Sequence, residues 1–403
     1  MAVLKDKKIL LGVTGSIAAY KAAEIVRLLI SSGARVQVVM TEAATKFIGP
    51  QTLSTLTGRR VVTSMFRDGT EPEIEHISLP EEADAILIAP ATAHTISRMA
   101  LGLADDVLTS MLLVARCPVL VAPAMNSNMY THPAVEENIE MLKGRGVHII
   151  EPGVGDLACG HTGPGRLADP AEIIEQLRAA LTEQDLSGAK ILVTAGPTRE
   201  TVDPVRYISN RSSGKMGYAI ARAAVRHGAD VTLVSGSTSL SAPARTAIIT
   251  VESAEEMNKA CAETFPNSDV LIMAAAVADY RPESAVSSKI KRTSDKMSIE
   301  LVACPDIIKG LADQSRPEQV LVGFAAETQD LLENARKKLE SKGIDLLVAN
   351  QVDTPDSGFD HDTNRIQILD SDGGVEAHPL MTKDEAAEQI IRHVVKWANR
   401  KRS

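Results

Sequence analysis

Residues 8–21 read KILLGVTGSIAAYK, and residues 190–195, KILVTA, repeat that opening in the second half of the chain. In the first copy an apolar run, Lys8–Val13, ends in Gly12 and Gly15. Ser16–Ser32 then places Ala22, Ile25, Leu28 and Leu29 on one helical face, with Gly33 as the stop, and Arg35–Thr41 (RVQVVMT) is the next strand. A strand, a glycine turn, a helix and a second strand open a parallel α/β sheet. The second copy keeps the order: Lys190–Ala195, a helix over Gly217–His227 stopped by Gly228, and Ala229–Ser235 (ADVTLVS). Two such openings in 403 residues predict two α/β domains joined near residue 188, in the polar stretch TEQDLSG, with bounds 1–189 and 190–403.

The alternation extends outward from both openings. Ala85–Ala89, Val119–Ala122 and Val147–Ile150 read as further strands of the first domain, with a helix from about Ala93 and a closing helix over Glu172–Leu181. Val270–Ala274, Val320–Phe324 and Asp345–Ala349 continue the second, with a helix over Gln329–Lys342. An antiparallel edge hairpin follows (Asn364–Leu369 and Val375–His378 around Asp372–Gly374), and Asp384–Asn399 is the last helix. Two stretches interrupt this rhythm. Gly196–Lys215 (GPTRETVDPVRYISNRSSGK) is a long insertion between strand and helix, either functional or an assembly arm. Glu151–Leu167 (EPGVGDLACGHTGPGRL) sets five glycines and two prolines around Cys159, which predicts a shaped loop without regular strand. With His161 and Arg166 nearby, Cys159 reads as a reactive thiol or as the incidental cysteine of an ordinary loop, and composition leaves both open.

Composition removes several classes. The chain is 44% hydrophobic and 24% charged, with net charge −9; its one basic run, Lys396–Arg402, reads as a solvated helix end, so nucleic acid is not the expected partner. Aromatics at 3% leave no stacking platform and demand aliphatic cores. The four cysteines (Cys117, Cys159, Cys261, Cys304) are scattered without a CxxC pair, so neither a cysteine zinc site nor a disulfide framework is expected. MAVLKDKKILLGV reads as a first strand and not a secretion signal, and no apolar run is long enough for a membrane span; the expected setting is the cytoplasm.

Ligands of open α/β sheets sit outside the carboxyl ends of the strands. Those positions are Gly12–Ile17, Thr41, Pro90–His94, Pro123–Met129 and the Cys159 loop. GVTGSIAAYK lacks the full GxGxxG pattern, and the second strand ends in Met40–Thr41, a hydroxyl where a dinucleotide ribose would want a carboxylate. Two helix starts, at Ser16 and Thr92–His94, suit a mononucleotide phosphate. Taken singly, Ser16 and Thr92 read as N-caps.

GVTGSIAAYK, APATAHT with ALGLADD, PAMNSNM and ACGHTGPGR together resemble the flavin-dependent cysteine decarboxylases, in particular phosphopantothenoylcysteine decarboxylase, over nearly all of residues 1–181. The resemblance implies a flavodoxin-like domain with FMN held by Gly15, Ser16, Ile17, Thr41, Ala91, Thr92 and Ala93. It also implies His76 and Asn126 flanking the substrate, and Cys159 as the acid. The chemistry suits those residue types. Oxidising the substrate CH2–SH to a thioaldehyde lets its carboxylate leave as CO2, and the resulting enethiol needs a proton and a returned hydride, so the cycle is redox-neutral. A neutral thiol can give that proton, and an amide can hold the carboxylate without opposing its loss.

In the second half, GPTRE, DPVRYISN, RSSGKMG, MAAAVAD, SKIKR, PDII, GFAAE and VAN resemble the phosphopantothenate–cysteine ligase domain over most of residues 190–403. The resemblance implies a Rossmann-like domain that binds CTP. The phosphopantothenate carboxylate attacks the α-phosphate to give an acyl-cytidylate and pyrophosphate, and the cysteine amine then displaces CMP. Small residues at a strand end (Ala274, Ala275, Ala276) leave room for a nucleotide against backbone. Lys289, Lys291 and Arg292 occupy a Ser/Thr-rich segment able to close over a triphosphate. Lys338 and Lys342, four apart, share a helix face; that spacing also describes a solvated lysine stripe. Pro305, Asp306, Ile307, Ile308 and Phe324 complete the nucleotide set, Asp279 serves either nucleotide or metal, and Asn210 handles the acyl-cytidylate. Mg2+ would be held mainly by the triphosphate. The combined expectation is a bifunctional enzyme of coenzyme A synthesis acting on small molecules, with trimeric flavin domains, dimeric ligase domains, and an arm around Arg206–Met216 reaching a partner subunit. A flavin/NAD(P) oxidoreductase is disfavoured because GPTRET is not GxGxxG; a flavoprotein regulatory subunit is disfavoured because Asn126 and Cys159 are both present.

Overall fold

The computed structural model describes residues 3–65, 75–156, 160, 162–291, 297–327, 331–351 and 361–402. The chain divides into two compact units, Met1–Thr182 and Glu183–Ser403. The division falls ahead of the expected joint near 188 because Leu186 and Ala189 are buried in the core of the second unit, and the Leu186 N–H donates to the His227 carbonyl at 3.0 Å.

The first unit holds a five-stranded sheet of β1 (Lys8–Val13), β2 (Arg35–Met40), β3 (Ala85–Ala91), β4 (Val119–Pro123) and β5 (His148–Ile149), in the order 2-1-3-4-5 with every pair parallel. That order is the flavodoxin-like one. Ile9, Leu11 and Val13 of β1 enter one hydrophobic cluster and Leu10 the other, so alternate side chains feed cores on both faces. All seven residues of β3 are buried, which explains its uninterrupted apolar run. The predicted helix after β1 begins as a 3-10 turn, Ile17–Lys21, and becomes α-helical over Ala22–Ser31. Ala22, Ile25, Val26 and Leu29 form its buried stripe, with Leu28 at the margin.

Glu151–Leu167 corrects the expected strandless loop. Gly153–Asp156 (β6) and Thr162–Arg166 (β7) pair antiparallel, with a register shift between Gly153 and Val154. The glycines permit the ladder and do not break it. Gly165 has φ +123°, and a Cβ there would stand 2.4 Å from the Met125 carbonyl oxygen, so only glycine lets the strand lie so close to the loop after β4. An isolated two-stranded hairpin also tolerates Pro164, because its outer edge needs no donor. Residues 157–159 and 161, which include Cys159 and His161, lie outside the described residues.

The second unit contains β8 (Lys190–Ala195), β9 (Arg199–Asp203), β10 (Arg206–Ser209), β11 (Asp230–Ser235), β12 (Thr246–Thr250), β13 (Val270–Met273), β14 (Tyr280–Pro282), β15 (Leu301–Ala303), β16 (Val320–Glu327), β17 (Leu346–Gln351), β18 (Thr363–Asn364), β19 (Ile366–Asp370) and β20 (Val375–Ala377). Its main sheet runs β12-β11-β8-β13-β16-β17-β19-β20, a six-stranded parallel Rossmann order extended by the expected antiparallel hairpin. The long insertion is a β-ribbon: β9 and β10 pair antiparallel. The last helix, Lys383–Arg402, carries the expected solvated residues on one side, with Lys396, Asn399 and Arg400 exposed, while its other side is packed. Trp397 and Ala398 are buried in the core, and Lys401 pairs with Asp345 at 2.7 Å.

Candidate functional sites

At the carboxyl ends of β1, β3 and β4 a cavity of about 520 Å³ is lined by Gly15, Ser16, Ile17, Thr92, Asn126 and Arg166, among others. Beneath it the buried Thr14 hydroxyl donates to the Pro90 carbonyl at 2.8 Å and accepts the Thr92 N–H at 3.0 Å, which locks the loops after β1 and β3 together. Ser16 is the N-cap of the 3-10 turn; its hydroxyl accepts from the Ala18 N–H and donates to the Ala124 carbonyl at 3.2 Å. Thr92 caps the Ala93–Leu101 helix by accepting from the Thr95 N–H. Both residues are therefore N-caps, and both also stand at one cavity wall.

Asn126 caps the short helix Ser127–Tyr130, accepting the Asn128 N–H at 2.9 Å, which fixes its side-chain amide at the mouth. The hairpin base closes the same side, since the Met125 N–H donates to the Gly165 carbonyl at 2.9 Å. Ala91 and Ala93 are buried behind Thr92. Thr41 caps the helix Glu42–Thr45, whose Ala43 would meet a Cβ on Gly15 at 2.5 Å, so Thr41 stands one layer behind the wall. His76 is not brought to this cavity; it lies partly buried on the helix Glu75–Glu82, which packs on Val107–Val114. Tyr20, Lys21, Met129 and Leu167 also line the cavity, although sequence reasoning gave them no role. The one signal for Lys21 is its place as the last residue of GVTGSIAAYK, which marks no role by itself.

The second unit carries a cavity of about 330 Å³ between the carboxyl ends of β13 and β16. Ala275, Asp279, Pro305 and Asp306 line it, with Ile307, Ile308, Phe324, Lys338 and Lys342. Asp306 caps the helix Ile307–Ala312 and pairs with the Lys342 ammonium, while Lys338 Nζ donates to the Phe324 carbonyl at 3.2 Å. Both lysines thus point into the cavity from one helix face. Cys304 lines it too, and had no expected role. Burial, together with the nearby Glu200 and Asp279 carboxylates, pushes its thiol above the ordinary value, so it is neutral there. Gly323 packs at the floor, where a Cβ would stand 2.7 Å from Ile344.

The remaining expected residues stand around that cavity and not in its lining. Ala274 packs on the core. Ala276 bridges to Pro197, donating to the Gly196 carbonyl at 2.9 Å. Asn210, just after the ribbon, donates through Nδ2 to the Val277 carbonyl at 2.8 Å, and Val277 is a lining residue. Lys289 and Lys291 are exposed, and Arg292 lies outside the described residues. Their segment is tethered to the ribbon, because Asp203 accepts the Ile290 N–H at 3.1 Å. Although burial opposes ionisation of Asp203, N–H donors from Val205, Ile290 and Arg206 hold its carboxyl below the usual range.

A flavodoxin-ordered unit and a Rossmann-ordered unit, each with its own cavity at strand carboxyl ends, define a two-module α/β protein of the cofactor- and nucleotide-binding class. Residues 2–182 match the family described as Flavoprotein, and residues 186–398 match the DNA/pantothenate metabolism flavoprotein C-terminal domain. The coenzyme A biosynthesis bifunctional protein CoaBC of Vibrio vulnificus strain CMCP6 is 46% identical over 98% of each chain, and that of Bacillus subtilis strain 168 is 45% identical over 97% of each. Among solved structures, the C-terminal domain of coenzyme A biosynthesis bifunctional protein CoaBC is 43% identical, covering 53% of this chain and 97% of that one, with a TM-score of 0.46. The chain belongs to the family of coenzyme A biosynthesis bifunctional proteins. Among the described residues, no helix is long and apolar enough to cross a membrane.

Proposed function

We propose that the second unit joins cysteine to 4′-phosphopantothenate with CTP and that the first unit decarboxylates the product to 4′-phosphopantetheine with FMN. The observation that carries this reading is one cavity in each unit, with donor sets of different chemistry. The first has the opening amides of two helical elements, the hydroxyls of Ser16 and Thr92, the cations Lys21 and Arg166, and an apolar wall of Ile17, Met129 and Leu167. Such a set fits a phosphate at one end and a flat ring at the other. FMN, when bound, supplies the reversible two-electron oxidation of the substrate thiol carbon.

The chain's own residues do the rest. Asn126, oriented by its cap, holds the departing carboxylate without adding charge. Cys159 gives the proton to the enethiol carbon and is regenerated. His76 comes to the substrate from outside the cavity of its own chain, which fits a trimer of flavin units.

In the second cavity Lys338 and Lys342 neutralise the triphosphate as pyrophosphate leaves, and Lys289 closes over it from the ribbon-tethered segment. Asp306, which caps its helix through one carboxylate oxygen and pairs with Lys342 through the other, keeps its cap and gives up Lys342 when the phosphates arrive. Asp279 faces nucleotide or Mg2+, and Asn210 steadies the acyl-cytidylate from the Val277 loop. Ligase units pair as dimers, and the setting is the cytoplasm. The test is pyrophosphate release. It should require CTP and phosphopantothenate, with cysteine needed for CMP release and for pyrophosphate to exceed one equivalent per site, in a protein whose absorbance is that of a flavin; hydride exchange with NAD(P)H and no pyrophosphate would overturn the reading.

A further inference from the structure

Outside both cavities, Glu376, His378 and His393 bring three ligand atoms within 4.8 Å of one another. The fold explains the convergence. Residues i and i+2 of a strand point to one face, so Glu376 of β20 and His378 just after it project together. Glu376 lies opposite Ile368, whose side chain packs into the core beneath the last helix, and the His378 N–H donates to the carbonyl of Ile366 at 2.9 Å. That face is covered by the helix Lys383–Arg402, which supplies His393.

His393 Nε2 stands 3.1 Å from one Glu376 oxygen, and His378 Nε2 stands 3.5 Å from the other. The His378 side chain is only 9% exposed, and its Nε2 is buried with no hydrogen-bond partner. An imidazole nitrogen left unpaired in the interior is costly, and here it is aimed at a carboxylate and a second imidazole. Bonds of 2.0–2.1 Å to a tetrahedral ion separate neighbouring ligand atoms by about 3.3 Å, and each imidazole nitrogen stands near that distance from its own oxygen of Glu376. Two imidazoles and one carboxylate suit a borderline divalent ion of the zinc type and leave a fourth position open to water.

We propose that Glu376, His378 and His393 form a divalent transition-metal site that ties the edge strand β20 to the last helix. Glu376, with a side chain 58% exposed, is the point of entry from solvent. The ion completes the valence of His378 and reinforces two elements already linked by the Glu376–His393 pair.

The test uses the full chain after chelator treatment, titrated with zinc chloride and compared with His393→Ala and Glu376→Gln. Wild type should take up one zinc ion per chain more than His393→Ala, and Glu376→Gln should weaken that ion's affinity by at least about tenfold. Cobalt(II) should give the visible bands of a four-coordinate ion in wild type, absent from His393→Ala. Zinc should also raise the unfolding midpoint of wild type, and at the same zinc concentration raise that of Glu376→Gln by less. Should His393→Ala misfold, Glu376→Gln decides alone, since its side chain is exposed. Equal stoichiometry and affinity in wild type and Glu376→Gln, or no zinc uptake by wild type, would overturn the proposal.

Discussion

The hydroxyl of Thr14 accepts the backbone N–H of Thr92 at 3.0 Å while donating to the carbonyl of Pro90 at 2.8 Å, so one buried side chain fixes two loops of the first cavity. Thr14→Val keeps the shape and leaves that N–H unpaired in a water-free position. The expected cost is about 1–3 kcal/mol in denaturant unfolding of the first unit, with weaker flavin retention on gel filtration. Thr14→Ser should recover most of both. A fully stable, flavin-loaded Thr14→Val would show the bridge to be dispensable.

Gly165→Ala places a methyl group 2.4 Å from the Met125 carbonyl oxygen at φ +123°. The hairpin base must then lift off the loop that carries Asn126. Decarboxylation should fall by at least about tenfold, an effect on the order of 1.4 kcal/mol, with CTP-dependent pyrophosphate release unchanged. Parallel loss of both activities would count against a local effect.

Cys159→Ser should release CO2 and stop short of saturated product, because carboxylate loss precedes the proton the thiol supplies. Mass spectrometry of the quenched reaction distinguishes an unsaturated thiol product from 4′-phosphopantetheine; normal turnover removes Cys159 from the acid's role.

Lys289→Gln and Lys338→Gln separate two contributions in the ligase cavity. Lys338 reaches into the cavity from its helix, whereas Lys289 sits on an exposed segment held by Asp203. Lys338→Gln should raise the KM for CTP about tenfold, and Lys289→Gln should abolish ligation by lowering kcat, with flavin binding and decarboxylation intact in both. Equal KM effects from the two would show that the Lys289 segment does not close during the chemistry.

The second unit should be most stable near neutral to mildly acidic pH. His227 lies 2.6 Å from Asp185 and 3.1 Å from Glu388, and Glu388 is also bound by Arg226 at 2.6 Å. Burial alone would lower the His227 value, but the two carboxylates outweigh it and raise the imidazole above 6.5. Its contribution is therefore full below about pH 6.5 and is lost as pH rises through the raised value. Burial would raise the Glu388 carboxyl, but His227 and Arg226 draw it below 4.5, so its contribution is present above that value and lost as pH falls through the lowered one. The urea midpoint should decline on both sides, and His227→Gln should remove the alkaline decline and shrink the acid one, because Arg226 alone then draws Glu388 down.

Both sheets were legible because their strands are buried on both faces and bounded by glycine, as Lys8–Val13 and Lys190–Ala195 are. The hairpin at Gly153–Arg166 was not, since glycine and proline counts weigh against strand while the pairing depends on a close approach to Met125 that only the fold reveals. Lys338 and Lys342 were legible from their spacing, although the same spacing describes an idle stripe until a strand end is set before it. The place of Lys21 in the first cavity followed from no spacing rule. The Glu376–His378–His393 cluster was hidden for a related reason: i, i+2 on a strand is visible, but the histidine opposite belongs to a helix fifteen residues on.

The ribbon after β8 has a consequence for which molecules the second unit meets. At the sheet's switch point, between β8 and β13, a dinucleotide's pyrophosphate would ordinarily lie. Here pairing runs on past the sheet, from Pro197 to Ala276, with the Ala278 N–H donating to the Thr198 hydroxyl at 3.0 Å. Backbone fills that crevice, and the open cavity lies one strand further along. A dinucleotide's pyrophosphate thus meets backbone at its usual place, and the room left for a ligand is displaced by the width of one strand.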